Sequence, residues 1–382
     1  MSSVEIKKVE NKKDLKTFIE FHYELYQGNE YDAPTLFSDD MHVLDPKKNA
    51  AFEFCEAELY LAYKEGKLVG RVAAIINHKA NKQWDTKAVR FGWIDFIDDI
   101  EVSRALLDAV GNYGKAHGMD NIIGPLGFTD MDPEGMLTDG FDQLGTMATL
   151  YNYPYYPRHM QELGGWEKDN DYVEYKLIVP KEMPEKYMKV AQMIEKRYDL
   201  HVRAMTRREI FKDGYGHKVF EVINETFKHL YGYSELSDRQ IDQYVKMYLP
   251  FVDLNWVPIV EDWSVTPHKL VGVGITIPSL SRALQKLHRG RLWPFGWWDM
   301  LRVLKFHKTK IVDLLLIGVL PEYRVKGANA LLFSHLIPIY QKYGIEWGET
   351  HVEMETNGKV QSQWQYLETV QHKRRRCYKK LI

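Results

Sequence analysis

The stretch Leu314 to Leu332, LLLIGVLPEYRVKGANALL, carries the residue types needed to hold an anion. Its apolar start reads as a strand, Pro321 to Gly327 as a turn, and the residues from Ala328 onward as a helix. A turn at a helix N-terminus presents unpaired backbone N–H groups, and the positive end of the helix dipole favours a diphosphate lying across them. Gly327 lets the backbone approach closely, while Arg324 and Lys326 add positive charge. Val325, Ala328, Asn329 and Ala330 complete the expected cradle. The next strand, Glu349 to Asn357 (ETHVEMETN), alternates with period two and places Glu349, His351, Glu353 and Glu355 on one face. Three carboxylates and an imidazole cannot all enter an apolar core. They meet solvent or line a cleft, where a carboxylate of raised pKa can accept a proton.

The strand-turn-helix stretch resembles motif A of the GNAT-type N-acyltransferases, in which V-x-P-x-Y-R leads through a [QR]-x-x-G-x-[GA] turn into a helix. Val319, Pro321, Tyr323, Arg324 and Gly327 match, and Asn329 replaces the usual small residue. The resemblance implies coenzyme A, as acetyl-CoA or another acyl-CoA, for the donor. Its diphosphate would lie at the 324–330 turn and its pantetheine arm along Ile317, Val319 and Leu320, where a backbone N–H polarises the thioester carbonyl. Asn357 and the helix after it resemble motif B, which often supplies a Tyr that protonates the departing thiolate. Val360 and Trp364 hold the Ala and Tyr positions here. Tyr366 lies two residues further on, about 200° around a helix, a poor geometric substitute. The catalytic candidates are therefore Glu349, Glu353, Glu355 and Tyr366, with Asn357 beside the donor.

Positioning these groups requires an α/β framework, and the chain shows one used twice. Lys67-Leu68-Val69-Gly70 recurs at Lys269 to Gly272, and Ala-Leu-Leu at 105–107 recurs at 330–332, each pair flanked by a hairpin pattern and a helix ending at a glycine. The expected fold is two tandem GNAT-like units, each a mixed, mostly antiparallel central sheet flanked by helices. The expected division is 1–180 and 181–382, with a Pro-containing linker at 179–185 and a helical insert at about 281–305 in the second unit. In the first unit the corresponding turn, Asp98-Asp99-Ile100-Glu101, is acidic and lacks glycine, so it would repel a diphosphate. The donor site therefore belongs to the second unit. Asp130, Asp132 and Gly135 resemble the opening of a calcium loop, but Pro133 interrupts it and Phe141 holds the twelfth position, so no metal is expected. The aromatic loop Tyr151 to Met160 is a candidate acceptor pocket. Nearly the whole chain resembles bacterial proteins with two GNAT-like units.

Composition bounds the rest. A length of 382 residues predicts two or three domains, and a net charge of −2 argues against a dedicated DNA binder. Two cysteines exclude a disulfide framework and fit a reducing, cytoplasmic compartment. No apolar run reaches the ~20 residues of a bilayer span. The 282–310 segment is basic and aromatic, suited to an anionic membrane surface, an acyl chain or the coenzyme's 3′-phosphate. The run His372 to Lys380 (HKRRRCYKK) reads as an exposed final strand with its charges outward. The leading expectation is direct acyl transfer from a CoA thioester to a small-molecule amine or an amino-acid-like acceptor. The alternatives are a Fem-type ligase that draws on aminoacyl-tRNA, or an acyl-CoA-binding protein without turnover.

Overall fold

The computed structural model describes residues 3–183, 185–361, 364 and 367–382. In chain order the first half forms β1 (Glu5–Lys8), β2 (Cys55–Lys64), β3 (Lys67–Asn77), β4 (Ala88–Phe96), β5 (Asn121–Gly124), β6 (Met136–Asp139) and β7 (Glu167–Ile178). The second forms β8 (Leu200–Ala204), β9 (Pro258–Asp262), β10 (Lys269–Pro278), β11 (Ile311–Val319), β12 (Trp347–Thr350), β13 (Glu353–Met354) and β14 (Thr369–Leu381). Both copies of Lys-Leu-Val-Gly open the second strand of a hairpin. The first hairpin turns through Glu65 and Gly66, both at positive φ (52° and 75°), as a two-residue turn that follows the strand twist requires. The helices Ile100–Ala116 and Ala328–Lys342 each follow the next strand of their half. Val102, Leu106 and Val110 on one, and Leu331, Leu332 and Leu336 on the other, are buried at the helical spacing.

All strands join one sheet of order β1-β2-β3-β4-β5-β14-β7-β12-β11-β10-β9-β8, with β6 paired to β14 and β13 to β7. The order is nearly palindromic. β14, the last strand of the chain, lies beside β5 of the first half, and β7, the last strand of the first half, lies beside β12 of the second. The halves have exchanged their final strands. β7 and β14 then pair with each other from Glu167↔Lys379 to Leu177↔Thr369.

This arrangement overturns the reading of His372 to Lys380 as an exposed strand. β14 is interior, and Lys373 and Arg375 are each 1% exposed. Their charges are matched from the neighbouring strands. Arg375 Nε donates to Glu174 Oε1 at 2.6 Å, and Lys373 Nζ donates to Glu349 Oε1 at 2.9 Å. Burial alone would raise the Glu174 carboxyl, but Arg375 and Lys373 hold it down at about 2. The other face pairs Arg374 and Arg376 with Asp171. A strand with cations on both faces thus lies inside a sheet because its neighbours supply the acids.

The insert begins with a short helix, Ser281–Leu284, and ends with the helix Gly296–Leu304. Its apolar side packs Leu284, Leu287, Met300 and Val303 into a small core of their own.

Candidate active site

β11 positions the site by changing partners along its length. It pairs in parallel with β12 only from Ile311↔Trp347 to Leu314↔Thr350. On its other edge it follows β10 to Val319, with a register slip at Ile275/Thr276 that leaves Leu315 as an extra residue. A bulge bends the strand that carries it. Beyond Leu314 the two parallel strands therefore diverge, after a last bond in which His351 N–H donates to Leu314 O at 3.0 Å. β13 turns away to pair with β7. A cavity of about 1340 Å³ fills the wedge, exceeding the ~300–1,000 Å³ typical of small-ligand pockets. Leu315, Leu316 and Ile317 line one wall and Val352, Glu353 and Met354 the opposite one.

The 321–328 turn stands at one end of this wedge. Gly327 has φ +84° and begins the helix Ala328–Lys342, with no side chain hydrogen-bonded to the helix N-terminus. A Cβ at Gly327 would also lie 2.8 Å from Ile194 Cδ1. Arg324 reaches back, its Nε donating to Val319 O at 2.6 Å. Of the residues expected to bind the donor, Ile317, Val319, Arg324, Asn329 and Asn357 line the cavity. Leu320 spends its N–H on Val271 O at 2.9 Å. Lys326 places its ammonium over the Tyr323 ring at 4.4 Å, Val325 is exposed, Ala328 is buried, and Ala330 packs against the main core. Lys326, Gly327 and Ala330 already spend their N–H groups on Tyr323 O, Arg324 O and Gly327 O at 3.2, 2.9 and 2.9 Å. A diphosphate here would therefore rest on the first helical amides, Ala328 and Asn329, and on Arg324, while the unpaired edge of β11 fits an extended amide-bearing arm.

The carboxylates of 349–355 do not share one face, because the strand breaks at His351 and Val352. Glu349 turns into the sheet, accepting from Lys373 and facing His372 Nε2 at 2.7 Å. Glu355 is held at the surface by Lys168 and Arg374, which lower its carboxyl. Neither lines the cavity. Glu353 does, and burial pushes its carboxyl up to about 8. Trp364 Nε1 donates to Glu353 Oε1 at 2.9 Å, so the residue at the usual Tyr position orients a carboxyl instead. His351 also lines the cavity, and burial lowers its imidazole from the ordinary value. Tyr366 lies outside the described residues.

The cavity continues into the first half and becomes acidic. Burial raises Asp39 to about 6, Asp130 to about 7 and Asp132 to about 6, and Asp130 helps burial to hold Glu134 well above its ordinary value. Tyr172, beside Glu134 and Asp130, is the register partner of Met354, one residue from Glu353. The calcium-like spacing in the sequence marked this loop. Among the described residues no group of His, Cys, Asp or Glu has a metal-holding arrangement. Behind it, Arg71 and His22 converge on Asp95 at 2.7 and 3.0 Å, and although burial opposes it, Asp32 and Asp95 raise His22 to about 10.

Among solved structures, the chain matches a tandem GNAT protein from the clavulanic acid biosynthesis pathway at TM-score 0.55, 11% identity, and coverage of 99% and 98% of the two chains. The chain has the tandem GNAT fold. A GCN5-related glucosamine N-acetyltransferase region of a fungal GH3 β-N-acetylglucosaminidase superposes with TM-score 0.56 and 13% identity, covering 99% of this chain and 38% of that one. In sequence, the chain is 26% identical over 379 residues to "Protein YghO" of Escherichia coli strain K12, covering 97% and 94% of the two proteins. It is 24% identical over 357 residues to a "Bacterial ceramide synthase" of Caulobacter vibrioides, covering 87% of each. No family model matches the chain.

Within the GNAT frame, the turn of the first unit is filled by protein. Asp99 caps the helix Ile100–Ala116 and pairs with Lys64, and Asp98 binds Arg158 and His159. The aromatic loop after Tyr151 is spent largely on packing. Tyr156 stacks on Phe96 at 4.1 Å between centroids and bonds Tyr26, while Met147, Ala148 and Leu150, just ahead of it, face the cavity. Sequence reasoning missed Asp39 and the helices that roof the cavity, Tyr215–Phe227 and Asp238–Tyr248, which contribute Phe227 and Tyr244. Nothing in their local pattern distinguishes a cavity wall from a core face.

Proposed function

We propose that the protein is an acyl-CoA-dependent N-acyltransferase that joins a long acyl chain to the primary amine of a long-chain amino alcohol. The observation that carries this reading is an apolar cavity running from the splayed strands of the second unit to the buried acids of the first. Its volume accommodates two aliphatic chains, and its two ends differ in charge as the two substrates do. The likeness to a protein named for ceramide synthesis supports the same chemistry, since a ceramide is the amide of a fatty acid and a long-chain amino alcohol.

The β11 edge holds the donor's arm, while the 324–329 turn holds its phosphates. Asp132, with Asp130 partly ionised beside it, draws the acceptor in as an ammonium, and the protonated Glu134 lies next to them. Glu353, as carboxylate, takes one proton, and the freed amine attacks the thioester carbonyl. The carbon–sulfur bond breaks, the departing thiolate takes a proton from the Glu353 acid just formed, and the regenerated carboxylate accepts the second nitrogen proton as the amide forms, passing it to water. An apolar wall keeps water from the thioester.

Two measurements test the reading. Thiol release and amide formation, followed with sphinganine as acceptor, are expected with palmitoyl-CoA at a rate at least about tenfold above acetyl-CoA, since each buried methylene contributes about 0.8 kcal/mol. Equal rates remove the long-chain assignment, and product from charged tRNA in place of acyl-CoA removes the donor. Trp364 at the Tyr position favours a second reading, binding without turnover; tight acyl-CoA binding with no amide across a panel of amines establishes that one. Separately, Arg324→Glu is expected to weaken acyl-CoA binding about 10- to 100-fold by losing a charge-assisted contact, while Val370→Glu, at an exposed position of β14 away from the cavity, leaves it within about twofold. Equal affinities in a titration of both variants would displace the phosphates from this turn.

A further inference from the structure

The exposed aromatic side chains of the insert have no use in the reaction just described. Trp293 and Phe295 are each 81% exposed, and Trp297, Trp298 and Phe306 are exposed beside them. Monomeric proteins rarely leave such a cluster in water without a partner. A floppy hairpin does not account for it. Met300 and Val303 bury the opposite side of the helix, Trp297 Nε1 donates to Pro294 O at 3.0 Å, and Arg289 and Arg291 tie the hairpin to Glu24 and Glu20 of the first unit at 3.1 and 2.5 Å. The aromatics are held outward by a fixed scaffold.

Charge follows the same face. Arg302, Lys305 and Lys308 are exposed and have no carboxylate partner among the described residues, although the chain as a whole carries −2. Trp and Phe beside Lys and Arg is the composition that settles at the boundary between lipid headgroups and acyl chains. The patch also adjoins the cavity, for Trp297 belongs to both, and Leu301 and Leu304 line the wall behind. No helix among the described residues is long and apolar enough to cross a membrane, so any contact made here is peripheral.

We infer that this face docks on an anionic lipid bilayer, with Trp293, Phe295 and Phe306 entering the interface and Arg302, Lys305 and Lys308 meeting acidic headgroups, so that the cavity mouth opens against the membrane. A second copy of the chain fits less well, because a two-fold contact through the patch would bring the three unpaired cations of each copy together. Docking rests on the patch itself and holds whichever amine the cavity accepts.

Flotation of the full chain with vesicles tests this without acyl-CoA or turnover, so its outcome is separable from that of the transfer assay. The wild type is expected to float with phosphatidylcholine vesicles containing phosphatidylglycerol, less with phosphatidylcholine alone, and less in high salt. The triple variant Trp293→Ala, Phe295→Ala, Phe306→Ala is expected to lose binding at least about tenfold on either vesicle. The triple variant Arg302→Gln, Lys305→Gln, Lys308→Gln is expected to lose about 100-fold on the anionic vesicles alone. Both change exposed side chains, so thermal melts should match the wild type. As a second reading, brominated lipids should quench tryptophan emission in the wild type and quench Trp293→Phe less. Absence of wild-type flotation, unchanged flotation in both variants, or a dimer in sedimentation that the aromatic variant dissolves would each overturn the assignment.

Discussion

Glu353→Gln is expected to lower kcat by about 10²- to 10⁴-fold, the usual worth of a general base, while leaving acyl-CoA affinity within a few-fold. Glu353 faces the cavity, and its carboxyl sits at about 8 because burial disfavours the charge. The sign of the pH effect follows. Below that value the carboxyl is protonated and cannot accept, so the wild-type rate should rise with pH up to about 8 and then level. In the Gln variant that limb should disappear, leaving the flatter profile of a water-assisted reaction. Trp364→Phe removes the indole N–H that reaches Glu353 Oε1 and keeps the ring. Losing that bond raises the carboxyl further, so the limb should move to higher pH. A Gln variant with full kcat, or a limb unmoved by Trp364→Phe, would take Glu353 out of the reaction.

The largest effect on stability is expected at the exchanged strands. Glu174→Ala leaves Arg375 buried without its carboxylate and deprives Lys373 of one of two, a loss of about 3–5 kcal/mol. That is a large fraction of the roughly 5–15 kcal/mol that holds an ordinary domain folded. Glu355→Ala, which removes a surface partner of Lys168 and Arg374, should cost no more than about 1 kcal/mol. Denaturant titration of the two variants side by side gives the comparison. Similar losses would mean that the buried network is matched by water or by rearrangement. Acid should act on the same network: Glu174, held at about 2, contributes its stability above the ordinary carboxylate range and loses it as pH falls towards 2.

What the sequence made legible was local. The hairpins at Lys67 and Lys269 and the helices after β4 and β11 follow from periodicity and turn chemistry, and motif A stands out because strand, turn and helix N-terminus are contiguous. What it hid was set by distant partners. Period two placed Glu349, Glu353 and Glu355 together, but the chain bends at His351 to follow β7, so only Glu353 meets the cavity. Lys373 and Arg375 looked like surface charges because Glu174 lies 199 and 201 residues away in the chain. Asp130, Asp132 and Gly135 resembled the opening of a calcium loop in which no metal was expected, and what the sequence did not show is that Asp130, Asp132 and Glu134 are buried beside Tyr172 as an acidic pocket.

The exchange of β7 and β14 also fixes the order in which this protein can mature. A growing chain emerges from the ribosome N-terminus first, at about 5–20 residues per second. β5 cannot gain its neighbour until residues near 380 have been translated, so the first half waits with an open strand edge for roughly the time needed to make the second. That edge is the point at which a nascent chain would need shielding from its own kind.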